Sequence, residues 1–389
     1  MLASSEVCDL CGGALKKNGK TAAGAQRFKC TGCRATTSTT RRRRDVARRH
    51  ELEAFLRWLI GKDSQAQAGK RAGISARSFR RRIQWCWSIS PQIPITGEIY
   101  DQVQLDGIYI GSWCCLIALS PTGVIGYQWC DTEKRPAWEA LLAQIPAPTV
   151  VIHDGGPGLI AARKYCWPHT RVQRCLVHLQ RNVRTYLSTR PRTGPGRELR
   201  RLSLSLTKIT TTAQAAAWLA ALADFHHRHH GFIYARTHRQ DHHGPLPRWV
   251  RAGQKSWYTH DRVRRAYTLL ERCAQHHELF TYLDHDLDFE VASSTNQLEG
   301  GINAGIRLVL HHHRGLSEDH AKRAVEWFLY LNSQNPSPAH HLIEDHHYQP
   351  PMTATEDAEE EVGPALYDTA TTAEEGLWDR AGWAGRHHP

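Results

Sequence analysis

The sequence predicts a multidomain chain in which small N-terminal modules precede an α/β core with a mixed sheet and an all-α insertion. Three observations support this prediction. Two Cys-x-x-Cys pairs stand near the N-terminus, apolar residues recur with helical spacing over residues 51–87, and strand patterns begin at Val103. A proline-rich stretch at residues 91–97 separates the helical part from the stranded part and predicts a domain boundary there.

Composition narrows the class of protein. The 389 residues carry a formal net charge of +12, with 41% apolar residues, which is enough for two or three cores and favours a polyanionic partner such as nucleic acid. No apolar stretch reaches the length of a membrane span and no signal peptide opens the sequence. We therefore expect no membrane partner and a cytoplasmic, nucleoid-associated protein, whose 11 cysteines are reduced or metal-bound.

The first module, residues 1–36, contains Cys8, Cys11, Cys30 and Cys33. Two Cys-x-x-Cys turns at this separation deliver four thiolates to one tetrahedral centre, so the spacing predicts a zinc ribbon with one structural Zn²⁺. The alternative is four unrelated reduced cysteines.

Two basic segments follow. Residues 37–50 read as a solvated linker whose arginines order on phosphates, or as a plain charged face. Residues 51–90 have the pattern of a helix-turn-helix domain, with a helical bundle as the alternative. The predicted DNA-binding residues are Arg41, Arg42, Arg43, Arg44, Arg77, Arg80, Arg81 and Arg82.

The core begins with three strands joined by tight turns, at residues 103–110, 113–119 and 124–131. Two strand–helix alternations come next, and this order is that of an RNase H-like fold. We assign residues 98–183 and 289–335 to the two parts of this core and residues 184–288 to the helical insertion.

Three acids occupy unusual positions in the core. Asp106 lies inside an apolar strand, Asp154 ends another, and Glu299 follows a Ser/Thr/Asn cluster that caps a predicted helix. A carboxylate in an apolar strand is costly unless a cation compensates its charge. In an RNase H-like fold such acids converge on two divalent ions, which activate a nucleophile and stabilise the leaving oxygen of a phosphoryl displacement.

Four motifs together resemble the DDE transposases of bacterial insertion sequences related to eukaryotic Mutator elements. These motifs are Leu-Asp-Gly at Asp106, Asp-Gly-Gly at Asp154, the run at residues 173–182 with Cys175 and His178, and Asn-Gln-Leu-Glu-Gly at Glu299 with Asn303 downstream. The likeness covers about residues 1–345 and is greatest to a branch with an N-terminal zinc ribbon and helix-turn-helix. The Glu-Gly-Gly at Glu299 departs from the commoner pattern, in which Ser or Asn often follows the acid.

The resemblance implies a catalytic triad of Asp106, Asp154 and Glu299 that holds two Mg²⁺ or Mn²⁺ ions. It also implies double-stranded DNA, as element ends and target, and a homodimer that brings two ends together. Cys175 and His178 have three open interpretations: ligands of a shared metal, hydrogen-bonding partners of the active-site backbone, or a buried thiol beside a satisfied imidazole.

Two rival functions remain for the sequence: a DNA-binding regulator with an inactive catalytic domain, and a metal-dependent endonuclease that does not join DNA. If one acid of the triad is not a ligand, the next to test are Asp131, Glu133, Asp286, Asp288 and Glu290. Residues 350–389 hold nine acids against two arginines and are predicted to be a disordered tail.

Overall fold

The computed structural model describes residues 7–8, 11–247 and 249–348, and only the backbone of Arg42 and Arg43. The predicted tail lies outside the described residues. Two compact units are distinguished: one comprises residues 7–92, Ile306–Phe328 and 336–348, and the other comprises Ile93–Gly305 and Leu329–Asn335. No helix in the described part of the chain combines the length and the apolarity that crossing a bilayer requires.

The first unit begins with a small antiparallel sheet. Strands β1 (Leu15–Lys20), β2 (Gln26–Cys30) and β3 (Thr36–Ser38) pair in this order, and Leu15 lies opposite Cys30. The pairing brings the end of β2 next to the loop that carries Cys8 and Cys11.

A single helix, α1 (Thr39–Ile60), follows directly. The Ser38 hydroxyl caps it by accepting from the Arg41 amide at 3.2 Å, and the side chains of Arg49 and Glu53 pair one turn apart at 3.1 Å. The prediction of a solvated linker over residues 37–50 is therefore wrong: arginine is a good helix former, and the segment extends a helix whose later turns are anchored by packing.

Two short helices pack against α1. The first, α2 (Gln65–Arg71), starts with a capping box between Ser64 and Gln67, and the second, α3 (Ala76–Ile83), starts at the Ser75 cap. Between them Gly73 adopts a φ of 67°, a conformation that glycine permits at no steric cost. Phe79 of α3 meets Trp58 of α1 with ring centroids 6.2 Å apart, and the arginines of α3 remain exposed.

Later residues complete the core of this unit. Trp327 packs against Phe55, and His313 hydrogen-bonds the Leu59 carbonyl at 2.9 Å. His313 directly follows α10 (Ala304–His312), Trp327 lies in α11 (Glu318–Leu331), and Ile306–Phe328 belongs to this unit. The sequence had assigned the same residues to the second part of the core; as a domain division, that assignment stays a prediction.

The second unit is built on a five-stranded mixed sheet. Strands β4 (Gln102–Ile110), β5 (Trp113–Ser120) and β6 (Gly123–Cys130) form an antiparallel meander. Strands β7 (Val150–His153) and β8 (Arg171–Arg174) extend it in parallel, so that the order is β6-β5-β4-β7-β8. The predicted mixed α/β class is confirmed, whereas the RNase H-like, zinc-ribbon and helix-turn-helix assignments stay predictions.

Two helices connect the parallel strands and cover one face of the sheet. Helix α4 (Arg135–Leu142) precedes β7, and α5 (Pro157–Cys166) precedes β8. Their Trp138 and Leu159 join Leu105 and Leu116 of the sheet in one buried apolar cluster. This burial is the main force that fixes the strands, at about 25 cal/mol per Å² of apolar surface.

A helical region follows β8, with its own apolar core. It consists of α6 (Leu176–Leu187), α7 (Gly194–Ser205), α8 (Thr212–Tyr234) and α9 (Asp261–Gln275). The prediction of an all-α insertion is wrong in one respect, because β9 (Arg236–His238) and β10 (Ser256–Tyr258) form a two-stranded antiparallel sheet between α8 and α9. Trp257 and Tyr258 supply the aromatic residues that favour strand pairing.

Candidate active site

One face of β4 carries a row of polar side chains that hold the segment 290–303. Gln102 donates to the Glu290 carbonyl at 2.6 Å and accepts from the Ala292 amide at 2.9 Å. Gln104 accepts from the Leu298 amide at 3.2 Å. Because side chains alternate along a strand, Val103 and Leu105 point to the opposite face and into the apolar core.

Asp106 is the next residue in this polar row. Its Oδ2 accepts a hydrogen bond from Asn303 Nδ2 at 2.8 Å. Burial raises the pKa of the Asp106 carboxyl to about 8; the charge of His178 opposes the rise, and the carboxylates of Asp154 and Glu299 add to it. All three predicted acids therefore interact electrostatically at one place.

Asp154 reaches the same place from the neighbouring strand. Strands β4 and β7 are parallel and Leu105 lies opposite His153, so the residues that follow, Asp106 and Asp154, are neighbours across the sheet. Asp154 Oδ1 accepts from the Gly156 amide at 2.9 Å, which fixes the turn after β7.

Gly155 gives this turn its shape. Its φ is 91°, and the guanidinium of Arg174 occupies the space that a β-carbon would need. Arg174 is only 5% exposed, and its Nη2 donates to the Asp154 carbonyl at 2.6 Å. The buried guanidinium thus ties the end of β8 to the turn that carries Asp154.

Glu299 enters from a π-helical segment, Gln297–Asn303, that runs directly into α10. Wide π-turns are rare in proteins and frequently occur at functional sites. His178 Nε2 lies 2.6 Å from Glu299 Oε1, and Arg181 Nη1 donates to Oε2 at 2.9 Å. Burial acts to raise the pKa of Glu299, but the hydrogen bond and charge of His178, together with Arg181, hold it at about 2.

Cys175 and His178 both anchor the segment that carries Glu299. The Cys175 thiol sulfur accepts from the amide and the hydroxyl of Thr295, at 3.4 and 3.3 Å. Burial opposes protonation of His178, yet its contacts with Cys175 and Glu299 raise the pKa of the imidazole to about 11. Cys175 thus accepts from the backbone of this segment, whereas His178 contacts the Glu299 side chain, and the roles of both residues stay a prediction.

Glu133 is a further buried acid near Asp106 and Asp154, which the sequence placed only among the acids to test next. An added β-carbon on Gly107 would lie 2.6 Å from the Glu133 carboxyl carbon, so this carboxyl lies on the face of β4 opposite the Asp106 side chain. Burial raises the pKa of Glu133 well above its usual range, and the charges of Asp154 and Asp106 add to the rise. The signal for it in the sequence is the glycine after Asp106, which leaves room on the strand.

The donor set suits a hard divalent cation. Asp106, Asp154 and Glu299 offer carboxylate oxygens, which are ligands of the kind Mg²⁺ prefers. Within the described ranges, however, the four cysteines are the only group of three or more His, Cys, Asp and Glu residues whose ligand atoms all lie within 4.8 Å of one another. The acids stand farther apart, and His178 and Arg181 supply positive charge to Glu299.

The four-cysteine group of the first unit is a candidate metal centre. The sulfurs of Cys8 and Cys33 are 3.6 Å apart, and those of Cys11 and Cys30 are 3.4 Å apart. A tetrahedral zinc ion with Zn–S bonds of about 2.3 Å requires sulfurs about 3.8 Å apart. The thiols therefore fit one structural Zn²⁺.

The predicted DNA-binding arginines lie on α1 and α3. Arg41, Arg44, Arg77, Arg81 and Arg82 are exposed. Arg80 is exposed as well, but its Nε donates to Gln65 Oε1 at 2.9 Å, so it links α3 to α2. The side chains of Arg42 and Arg43 lie outside the described part of the chain.

Part of the second unit matches a known protein family. Residues 102–240 match the model of the Mutator family of transposases. This stretch of the chain is similar to the Mutator transposases. This Mutator match begins at β4 and includes Asp106, Glu133, Asp154 and His178, whereas Glu299 lies beyond its end.

A curated relative agrees with this assignment. The transposase for insertion sequence element IS905 of Lactococcus lactis subsp. lactis (strain IL1403) is 32% identical over 101 residues. The alignment covers 22% of this chain and 26% of that transposase, so the match spans about a quarter of the relative's length. The predicted resemblance to Mutator-related transposases of insertion sequences is confirmed.

Proposed function

We propose that this chain is a DNA transposase that binds the terminal inverted repeats of an insertion sequence and catalyses metal-dependent DNA cleavage and strand transfer. The observation that carries the proposal is the electrostatic convergence of Asp106, Asp154 and Glu299, which come from two neighbouring strands and a distant helix. The match to the Mutator family supports the same activity.

The three acids would hold two Mg²⁺ or Mn²⁺ ions, which when bound activate a water or 3′-hydroxyl and stabilise the leaving oxygen. The chain's own residues do the positioning. Asn303 orients Asp106, the turn at Gly155 orients Asp154, and His178 with Arg181 orients Glu299.

The exposed arginines of α3 and the first turns of α1 would contact the element ends. Helix α3 follows α2 across a tight turn, which is the arrangement in which a recognition helix enters a major groove. We also propose that two copies assemble on two ends, because strand transfer joins both ends to one target.

Charge-removing substitutions of the acids test this function. Asp106→Asn, Asp154→Asn and Glu299→Gln keep the size of each side chain but remove the charge that a divalent ion needs. We expect cleavage and strand transfer in Mg²⁺ to fall by at least about 10³-fold, a loss of roughly 4 kcal/mol of transition-state stabilisation. Binding of terminal-repeat DNA should stay at the parental level.

Asp241→Asn is the matched control, because Asp241 is an exposed acid of the second unit and is not among the candidate ligands. A triad variant that still joins DNA ends at near the parental rate would exclude that residue as a ligand. Cleavage without joining by the parent would favour the endonuclease, and specific end binding with no cleavage would favour the regulator.

A further inference from the structure

A cavity of about 760 Å³ opens beside the acids in the second unit, and basic side chains dominate its walls. Helices α5, α6 and α9 and strand β8 contribute six arginines and one lysine, against a single acid, Glu278. We call this cavity the basic cleft.

The acids around the basic cleft leave its charge unbalanced. Arg174 lies 3.7 Å from Glu278, Arg171 pairs with Asp284 and Asp286, and Arg181 pairs with Glu299. The remaining cations include Lys164, Arg184 and Arg272, which are exposed and make no ion pair with any residue that the structure describes. Like charges gathered in a concave wall raise the local concentration of an anionic ligand.

The basic cleft shares its wall with the acid site. His178 and Arg181 line it and contact Glu299, and Arg174 lines it and donates to the Asp154 carbonyl. A ligand in the cleft therefore lies against the same side chains that orient two of the three acids.

The size of the cleft limits the ligand. Its volume is in the range of pockets that hold drug-sized molecules, about 300–1,000 Å³. A duplex does not fit such a space, since the major groove of B-DNA alone is about 12 Å wide. The sugar-phosphate backbone of a short unpaired strand does fit, and arginine guanidinium groups match its phosphates.

We propose that the basic cleft binds the phosphates of one or two unpaired nucleotides that adjoin the phosphodiester at the acid site. This proposal rests on the proposed function and extends it, because it assigns part of the substrate strand to α6 and α9. Arg184 and Arg272 face the strand from these two helices.

The test compares blunt end DNA with the same duplex carrying a short 3′ overhang. The full chain binds fluorescein-labelled DNA in buffer without added Mg²⁺ or Mn²⁺ and without chelator, and the gain in affinity from the overhang is read by anisotropy. We expect a gain of roughly tenfold in the parent, which is about 1.4 kcal/mol. The salt dependence should steepen by about 0.7 for each phosphate held.

The double variant Arg184→Ala/Arg272→Ala should lose the gain while binding blunt DNA like the parent. The matched control Lys208→Ala/Lys255→Ala removes two exposed charges that do not line the cleft, and should keep the gain. Parental protection of the β4 and β7 amides from hydrogen exchange shows that the second unit, which contains both substitutions, is folded in the double variant.

Three results would overturn the proposal. The first is that the overhang gives no gain in affinity in the parent. The second is that the Arg184/Arg272 variant keeps the gain. The third is that inorganic phosphate, at the same phosphate concentration as the DNA, abolishes the gain. The last result would assign the cleft to a small anion. The proposed function is tested separately, by DNA cleavage in Mg²⁺. A parent protein that shows the overhang gain but does not cleave DNA contradicts the proposed function. A parent protein that cleaves DNA without the overhang gain contradicts only the proposal for the basic cleft.

Discussion

At the scale of single residues, the glycines beside the acids are explained by what lies next to them. Gly107 leaves space for the Glu133 carboxyl, and Gly155 leaves space for the Arg174 guanidinium. In both cases a missing β-carbon lets a charged or polar group from another element approach the backbone next to a predicted metal ligand. The glycine of each Asp-Gly pair therefore provides space for packing, within a strand at Gly107 and in a turn at Gly155.

Gly155→Ala should destabilise the protein and impair the acid site. The substitution puts a β-carbon into the Arg174 guanidinium and into a backbone with a φ of 91°. We expect about 1–3 kcal/mol lower stability of the unit that contains the sheet, by urea unfolding, together with slower cleavage.

Gly156→Ala is the control for this prediction. Its added β-carbon would meet only Asp154 Oδ1, at an ordinary contact distance of 3.7 Å. Equal losses in the two variants would show that Arg174 does not determine the need for glycine at position 155.

At the scale of elements, the polar row on β4 and the anchors on α6 act together. Gln102, Gln104 and Asp106 hold residues 290–303 from the sheet, while Cys175 and His178 hold the same segment from the start of α6. Glu299 is thereby positioned by two elements distant from it in sequence.

The contact between α7 and α8 leads to a pH prediction. Glu198 of α7 accepts from Arg228 of α8, and this hydrogen bond, with that of His229, lowers the pKa of Glu198 from 4.5 to about 2. A depressed folded-state pKa means that the stabilisation is present above pH 4.5 and is lost as the pH falls towards 2.

Glu198→Gln should therefore be less stable than the parent by about 1 kcal/mol at pH 6, a value that allows for solvent screening of the half-exposed Arg228. The difference should shrink as the pH falls from 4.5 to 2, measured by urea unfolding at each pH. Glu53→Gln, at an exposed pair on α1, is the control and should change stability little at any pH. A pH-independent effect at Glu198 would contradict the assigned ion pair.

Single Arg→Ala variants of α3 test the proposed recognition helix. Removal of a base-reading arginine should cost about 1–3 kcal/mol and relax specificity at one position, whereas removal of a phosphate contact should weaken binding to all sequences alike. Footprinting of Arg77, Arg81 and Arg82 variants on a terminal repeat distinguishes these effects. Arg80→Ala differs, because it also removes the link to Gln65. Parental binding by every variant would exclude α3 as the reader.

At the scale of the whole molecule, the metal centre and the acid site belong to different compact units. Cys30→Ser should therefore abolish zinc binding and weaken end binding while the second unit stays folded, since structural zinc contributes folding energy only to its own module. Metal content by mass spectrometry and amide hydrogen exchange in β4 and β7 report the two effects. Cys166→Ser, a half-buried cysteine outside the metal group, is the control. If the β4 and β7 amides exchange faster in the Cys30→Ser variant than in the parent, the stability of the second unit depends on the first.

The strands of the sheet were predictable because their signals are local, and Asp106 and Asp154 were proposed from their places in β4 and directly after β7. Apolar side chains alternate with polar ones over residues 103–110, a pattern that predicts a strand. The structure has β4 at Gln102–Ile110. The helix over residues 39–50 was not predicted, because these residues have no apolar periodicity of their own. They extend a helix whose later turns, up to Ile60, are held by packing. The β9–β10 pair was missed because three-residue strands leave no periodicity to read.

By itself, the sequence determined the order of the main elements, the cysteine pairs and the family resemblance, and it proposed the three acids, since each depends on residue type and spacing along the chain. Only the tertiary structure decided what surrounds those acids. Glu133 over Gly107, Arg174 under Gly155 and His178 against Glu299 are contacts between residues from 19 to 121 positions apart. Such contacts depend on strand register and helix packing, which a linear pattern of hydrophobicity and charge does not encode.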